Sequence, residues 1–553
     1  MAFVITPNRR MCSGPNSEMT RTARLRRYVA AFTPIARMHK GILFGLVALG
    51  TVQLFLLSDL KGISSDEGLR LLTMNGGQLF QGDRSGTTAS LKDVMMAVRD
   101  TNYQPLYYLL QNRVMMVARS TDPVLLRTVN ILFAAALLGG TACLARRWPP
   151  VAALYLVGTV AFSGYFAMHV LQIREYTLGL LFLLLIYFYS CRLVQRSERT
   201  PLFPDILQHV AYGFLAVGAC LNSFWILPAW CGAVVGQWAL ARRRLEAAAL
   251  LACSVVSAMA GLRLLRAVQG FEKKVDVGLW DQHDVSAARA AEVVSDGIYF
   301  ILVGSEVPPS GAGAARILVL AIFVTAAAGA LLVAVRPSVA RGSGELRMHV
   351  VLSGFMLGAL CLFQICYFLV RKDMISLWTR YFFQHFWLLH VLIAAIIGMT
   401  ACRLRTRATR AGIGAFLLLS AAWAIQGTVQ YWRNPYSDTG LGRDCEWRVF
   451  ASRLREVARG DPIVFTRALE GATVSFSERF PNSLLLVDKL GADAAAWPAT
   501  FQLVETQGTP VDESAARIAG LSAAYFDVIG REHVTGGQPC NIAATVYRMR
   551  RPW

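Results

Sequence analysis

Charge is scarce in this sequence: Asp, Glu, Lys and Arg make up 16% of the 553 residues, where ordinary soluble domains carry about 25%. With 55% of the residues hydrophobic, a water-soluble globule is excluded as a description of the whole chain. Acid is scarcer than base, 35 residues against 55. Metal-type spacing is missing as well, because the eleven cysteines and eight histidines fall into no zinc-site pattern. What the sequence does have is long apolar runs. Stretches 41–57, 151–168 and 178–189 are almost free of charge, and with their flanks they reach the roughly 20 residues needed to cross a ~30 Å hydrocarbon core.

The net charge of +20 does not point to nucleic acid, because its distribution assigns it elsewhere. From Tyr431 to Trp553 acidic and basic residues are equal in number, so the excess belongs to the apolar part and its short loops, where a Lys/Arg bias sets membrane orientation. Residues 1–40 hold Arg9, Arg10, Arg21, Arg24, Arg26, Arg27, Arg37 and Lys40 against one acid, Glu18. That is the expected pattern of a cytoplasmic basic tail ahead of an uncleaved anchor.

Basic clusters recur at Arg146 and Arg147, 192–199, 242–244, 336–347 and 403–410. If all face the cytoplasm, the chain is a polytopic α-helical membrane protein of about eleven transmembrane helices, with the N-terminus inside and the C-terminus outside. The expected spans are 41–58, 124–145, 150–170, 175–193, 206–221, 223–240, 246–265, 314–335, 349–370, 380–400 and 411–430, within a membrane domain of 41–430. Residues 105–119 are too short and too polar to cross. They read as an interfacial helix, its Leu, Tyr, Val and Met residues at the headgroup boundary and its polar face in water. Outer loops then cover about 59–123 and 266–313. Residues 431–553 form a small α/β extracytoplasmic domain, with an amphipathic helix bearing Val449, Leu454 and Val457 and apolar runs at 463–465 and 484–487. Only Cys445 and Cys540 fall in that domain, where they form either one disulfide or two buried thiols.

Four constellations near the outer ends of the spans can carry chemistry. Asp66 and Glu67 stand just past the first span; they suit the first turn of a solvated helix and equally suit proton acceptance or a shared divalent cation. The first outer loop ends in Tyr103, Gln104, Pro105, Leu106, Tyr107 and Tyr108, whose rings are either interfacial anchors or the wall of a sugar or lipid site. Between the third and fourth spans lie His169, Gln172, Arg174, Glu175 and Tyr176, and an arginine at that depth needs a partner. Glu175 is one such partner; a phosphate, which matches the guanidinium fork, is the other. Arg371, Lys372, Arg380 and Tyr381 put cations at an outer boundary, against the positive-inside bias, which anionic lipid or a lipid-linked phosphate explains. In the second outer loop, His283 reads as a surface residue or an acceptor contact.

Taken in order, these elements resemble the GT-C superfamily of polyprenyl-phosphate-sugar glycosyltransferases, especially the family 39 group of protein mannosyltransferases and lipid A aminoarabinose transferases. The likeness rests on the acidic pair Asp66 and Glu67 after the first span, the Pro105-Leu106-Tyr107-Tyr108 segment, the Gln172-x-Arg174-x-Tyr176 element, the later Arg380-Tyr381, and the Trp447-Arg448 helix of the C-terminal domain. It departs where the family commonly has His-Pro-Pro, since Tyr103, Gln104 and Pro105 stand there. The resemblance implies an inverting transfer of a sugar from a polyprenyl phosphate to an envelope lipid, glycan or protein at the outer face of a bacterial inner membrane. Asp66 and Glu67 would be catalytic or hold a divalent cation, Arg174, Arg380 and Lys372 would bind the donor phosphate, and Tyr103, Tyr107, Tyr176, Tyr381 and His283 would line the substrate site. A lipid-linked sugar transporter and a glycan ligase need similar basic residues and stand as alternatives. The topology predicts that a reporter fused after Trp553 is active only outside the cytoplasm; a reporter active in the cytoplasm would overturn it.

Overall fold

The computed structural model describes residues 39–58, 65–77, 89–100, 104–196, 202–241, 244–269, 286–304, 312–335, 344–371, 382–403, 407–433, 447–458, 460–466, 474, 484–486, 497–506, 526–535 and 543–551. Helices dominate them. In chain order they are α1 (His39–Ser58), α2 (Ser65–Met74), α3 (Leu91–Asp100), α4 (Pro105–Ala118), α5 (Pro123–Ala145), α6 (Pro150–Phe162), α7 (Gly164–Val170), α8 (Tyr176–Arg196), α9 (Leu202–Cys220), α10 (Ile226–Leu240), α11 (Arg244–Gln269), α12 (Ala287–Val303), α13 (Ala312–Val335), α14 (Gly344–Arg371), α15 (Phe383–Arg403), α16 (Arg407–Arg433) and α17 (Trp447–Ala458).

Several of these helices start where local chemistry tells them to. Proline opens α4, α5 and α6, at a position whose N–H has no intrahelical partner to lose. Asp122 caps α5 by accepting from the Val124 N–H at 2.8 Å. Ser90 and Asp93 close a reciprocal cap on α3: Ser90 N and Oγ donate to Asp93 Oδ2 at 2.9 and 2.7 Å, and Asp93 N donates back to Ser90 Oγ. The two Ser90 bonds hold the Asp93 carboxyl below its ordinary range.

Eight helices among the described residues are long and apolar enough to cross a membrane: α1, α5, α8, α11, α13, α14, α15 and α16. The expected span at 150–170 is instead a broken pair, α6 and α7, bent by 50°. Ser163 makes the break, its hydroxyl accepting from the Phe166 N–H to start α7. A second cause is close packing. A Cβ at Gly164 would stand 2.5 Å from the carbonyl oxygens of both Gly304 and Gly427, and one at Gly427 would stand 2.4 Å from the Gly304 oxygen. The end of α12, the start of α7 and the C-terminal part of α16 therefore meet backbone to backbone, and Thr428 fastens the contact by donating to the Phe162 carbonyl. The expected crossings at 206–221 and 223–240 are the helices α9 and α10. At 1.5 Å per residue the 15 residues of α10 rise about 22 Å, and with the bent pair taken as one span the helices among the described residues that are long and apolar enough to cross number nine.

Helix α4 has the expected place and length, and Arg113 and Arg119 are exposed as expected, but its two amides are not. Tyr107, Tyr108, Gln111, Asn112 and Met115 are buried, whereas Val117 is 87% exposed. The expectation of a polar face in water is thus corrected: the amides of Gln111 and Asn112 turn inward because carbonyl and hydroxyl partners there satisfy them. Gln111 donates to the Leu126 carbonyl at 3.2 Å and Asn112 to the Met74 carbonyl at 3.0 Å. Deeper in the bundle, polar side chains likewise pair across helices. Trp387 donates to Thr141 at 3.0 Å, and the hydroxyls of Tyr155 and Tyr187 lie 3.0 Å from His390 and His349.

The C-terminal residues fold as α17 against a five-stranded sheet of β1 (Ile463–Phe465), β2 (Leu484–Leu486), β3 (Thr500–Thr506), β4 (Asp527–Thr535) and β5 (Ala543–Arg550). Its order is β2-β1-β3-β5-β4, parallel where β1 pairs with β2 and β3, antiparallel where β5 pairs with β3 and β4. Alternation sorts the two faces: Ile463, Phe465 and Val504 pack with Phe450 and Leu454 of α17, while Val464, Phe501, Leu503 and Met549 pack around Trp497. Leu72 of α2 joins the first of these clusters. The sheet is thereby tied to the segment that carries the acidic pair. Cys445 and Cys540 lie outside the described residues.

Substituting Gly164 by Val forces a side chain into the three-backbone contact. A destabilisation of about 1–3 kcal/mol, the usual cost of overpacking, should lower the thermal midpoint in detergent, whereas Gly158→Ala, where a Cβ meets nothing within 4 Å, should leave it unchanged. Equal midpoints for both variants would refute the contact.

Candidate functional site

Glu67 lies on α2 and Arg127 one turn into α5, 60 residues apart, and both side chains are fully buried. Arg127 Nη2 approaches Glu67 Oε1 at 3.4 Å. Its Nη1 donates to the Ser58 carbonyl at 3.1 Å, so one guanidinium also serves an end carbonyl of α1. The same Glu67 oxygen accepts the backbone N–H of Ile173 at 2.9 Å. Ile173 belongs to the non-helical corner of residues 171–175, between α7 and α8, which carries Gln172, Arg174 and Glu175.

Two other side chains clamp this corner. Asn130, one turn beyond Arg127, donates to the Gln172 carbonyl at 2.6 Å, and Asn222, in the turn between α9 and α10, donates to the Glu175 carbonyl at 3.0 Å. The corner is thus held by one carboxylate and two amides from three different parts of the chain. Tyr107 completes the network: its hydroxyl donates to Asn130 Oδ1 at 3.1 Å and accepts from Gln111 Nε2 at 3.0 Å. Burial pushes the Tyr107 phenol well above its ordinary range, against the lowering effect of those two hydrogen bonds, and the charges of Glu175 and Glu67 push it further in the same direction. Tyr107 therefore remains a neutral donor throughout the physiological range.

Arg174 points inward from the clamped corner, fully buried. Its Nη1 donates to the Tyr176 hydroxyl at 3.0 Å, and its Cζ lies 5.6 Å from that ring's centre. His169 lies 5.5 Å from Tyr176 and stacks on Phe383, the first residue of α15, at 4.5 Å and 11°. Tyr108, beside Tyr107, accepts from Arg70 of α2.

The sequence-expected residues divide accordingly. Glu67, Arg174, Tyr107 and Tyr176 come together around the 171–175 corner. Asp66 is in the first turn of α2, immediately before Glu67, with its side chain outside the described residues. Tyr103, His283, Lys372, Arg380 and Tyr381 lie wholly outside them. Glu67 does meet a cation, the guanidinium of Arg127, and among the described residues no three His, Cys, Asp or Glu side chains are grouped to hold a metal ion. Arg127, Asn130 and Asn222 went unnoticed in the sequence, and Gln111 counted there only among the polar residues of an interfacial helix. The available signal was Arg127 and Asn130 near the start of an otherwise apolar span, since an ionisable residue in such a span is there for a partner.

The fold and site thus define a polytopic helical membrane protein with a C-terminal mixed sheet and a buried acid–guanidinium corner at one end of its bundle. No family model and no curated protein sequence matches the chain. Among solved structures, it is similar to ArnT from Cupriavidus metallidurans bound to undecaprenyl phosphate, at 13% identity over 92% of this chain and 98% of that one, with a TM-score of 0.48. It is also similar to the Archaeoglobus fulgidus oligosaccharyltransferase in complex with zinc and sulfate, at 11% identity over 80% of this chain and 62% of that one, with a TM-score of 0.39. The same enzyme tethered to an acceptor peptide containing the NVT sequon gives 11% identity, 90% and 75% coverage, and 0.36.

Breaking a buried ion pair from one side leaves an uncompensated charge and costs about 3–5 kcal/mol, whereas replacing both partners with apolar residues is often neutral. Glu67→Leu and Arg127→Met should therefore each lower the thermal midpoint strongly, and the Glu67→Leu/Arg127→Met double variant should recover much of the loss. Additive losses in the double variant would show that the two groups are not a pair.

Proposed function

We propose that the chain is a GT-C glycosyltransferase that moves a sugar from a polyprenyl-phosphate donor to an acceptor hydroxyl at the outer face of the membrane. The observation that carries this reading is the 2.9 Å bond from Ile173 N to Glu67. It ties Glu67 of the acidic pair to the residue preceding Arg174, which supports reading two motifs about 100 residues apart as parts of one site.

In this reading Asp66 takes the proton of the acceptor hydroxyl as its oxygen attacks the anomeric carbon from the side opposite the phosphate. The carbon–oxygen bond to the phosphate breaks, its electron pair leaves with the polyprenyl phosphate, and the configuration inverts. Arg174 and Arg380, with Lys372, stabilise the charge gathering on the leaving group. Arg174 suits the task because its corner is clamped in advance by Glu67, Asn130 and Asn222, and charge stabilisation in a water-poor site is strongest when the donors need no reorganisation. Phe383, three residues past Arg380 in sequence, stacks against His169, which supports a role for the start of α15 at the same corner. Buried oxygens of Gln172, Thr177 and Asn222 accept no hydrogen bond among the described residues and suit the hydroxyl donors of a sugar. Glu67 acts in positioning, through Arg127 and the corner.

General-base assistance contributes about 10²- to 10⁴-fold. Asp66→Asn should lower turnover by about that factor at normal protein abundance, measured as release of labelled sugar from a polyprenyl-phosphate donor in membranes. Arg174→Lys, which keeps the charge but loses the planar fork, should raise KM for the donor or lower kcat. Wild-type rates in both variants would remove the catalytic assignment.

A further inference from the structure

Away from the polar corner, the bundle encloses a cavity of about 460 Å³ between α10, α13, α14 and α15. Its walls include Gly232, Phe323, Ala330, Gly354, Gly358 and Leu392, all from the middle stretches of their helices. None of its lining residues belongs to α2, α4, α5, α7 or the 171–175 corner. Leu392, its only residue from α15, lies nine residues past Phe383, about 13 Å along the helix.

The cavity has a structural cause. At Gly232 the backbones of α10 and α14 touch, since a Cβ there would stand 2.4 Å from the Phe355 carbonyl oxygen. One turn of α14 beyond Gly354, a Cβ at Gly358 would meet nothing within 4 Å, so the wall opens where the side chain is missing. Val235, Leu331 and Leu362 also line the cavity, and they are 47%, 66% and 63% exposed. The cavity therefore opens sideways onto the apolar belt of the bundle.

Three occupants compete for such a space. Water needs two to four polar partners, and the side chains lining this cavity are hydrocarbon apart from the thiols of Cys231 and Cys361. An unfilled void forfeits the dispersion contacts of its walls. Hydrocarbon is the solvent immediately outside the opening and satisfies the walls with no polar cost. We propose that this lateral cavity is an intramembrane binding site for one acyl chain of a bilayer phospholipid. The choice of a bilayer lipid over the donor's polyprenyl chain follows from abundance at the opening: phospholipid hydrocarbon is the bulk solvent there, and no lining residue belongs to the elements that build the polar corner.

The test uses the full-length protein in nanodiscs that contain a phospholipid with a photoreactive diazirine midway along its acyl chain, with the labelled peptides mapped by mass spectrometry. Peptides of α14 spanning 351–362 should be labelled about tenfold more than the equally lipid-facing stretch of α16 around Leu418 and Ile425, as a preference of about 1.4 kcal/mol gives. Labelling of α14 should fall in the order wild type, Gly358→Ala, Gly358→Leu as the side chain fills the space, with labelling of α16 constant. The alanine variant, whose methyl enters open space, keeps the comparison valid if the leucine variant folds poorly. Equal labelling of α14 and α16 would show ordinary boundary lipid and overturn the site. Labelling of α14 by a diazirine-bearing polyprenyl phosphate but not by the phospholipid would overturn the assignment of its occupant. Neither outcome depends on glycosyl transfer, so failure here is distinguishable from failure of the enzymatic reading.

Discussion

The arrangement around the 171–175 corner depends on one constraint: a carboxylate and a guanidinium buried out of water must find each other and further hydrogen-bonding partners close by. Glu67 and Arg127 meet it jointly, with the Ser58 carbonyl and the Ile173 N–H as the further partners. Because those partners come from the end of α1, from α2, from α5 and from the α7–α8 corner, satisfying two charges fixes the relative placement of four segments. A buried pair of this kind is weak evidence for stability in itself. Its effect here is on geometry, because it ties α2 to α5 and to the corner between α7 and α8.

The rest of the bundle uses contact distance in two opposite ways. At Gly164, Gly304 and Gly427 the backbones of three helices press together, which needs the absence of side chains on all three and breaks the third hydrophobic run into α6 and α7. At Gly358 the absence of a side chain leaves space beside the cavity. Small residues therefore do not carry one structural meaning in a membrane bundle; the neighbouring helix decides whether they make a seam or a cleft.

Much of the helical layout was legible because hydrophobicity and capping are local. Asp122-Pro123 marks the start of α5, the sparse charge of 41–57 marks α1, and the apolar runs at 463–465 and 484–487 mark β1 and β2. The face of α4 was not legible. Its alternation of Tyr, Leu, Gln, Asn and Met permits either orientation, and the choice follows from carbonyls at Met74 and Leu126 that only packing delivers. For the site, Arg174 and Glu67 stood out as charges beside apolar runs, whereas Arg127 and Asn130 were hidden inside a span counted only for its length.

What the sequence by itself determined is class and inventory: a chain too apolar for water, crossing a membrane many times, with acids following the first span and an arginine between the third and fourth. Those properties follow from composition and short-range pattern, which any local reading of the chain can recover. Only the tertiary structure decided that Glu67 answers to Arg127 and to the Ile173 N–H, that Asn130 and Asn222 clamp the corner bearing Arg174, and that α10, α13, α14 and α15 pack around a cavity. The reason is physical. A buried charge or amide is satisfied by whatever packing brings within about 3 Å, and that partner can sit anywhere along the chain.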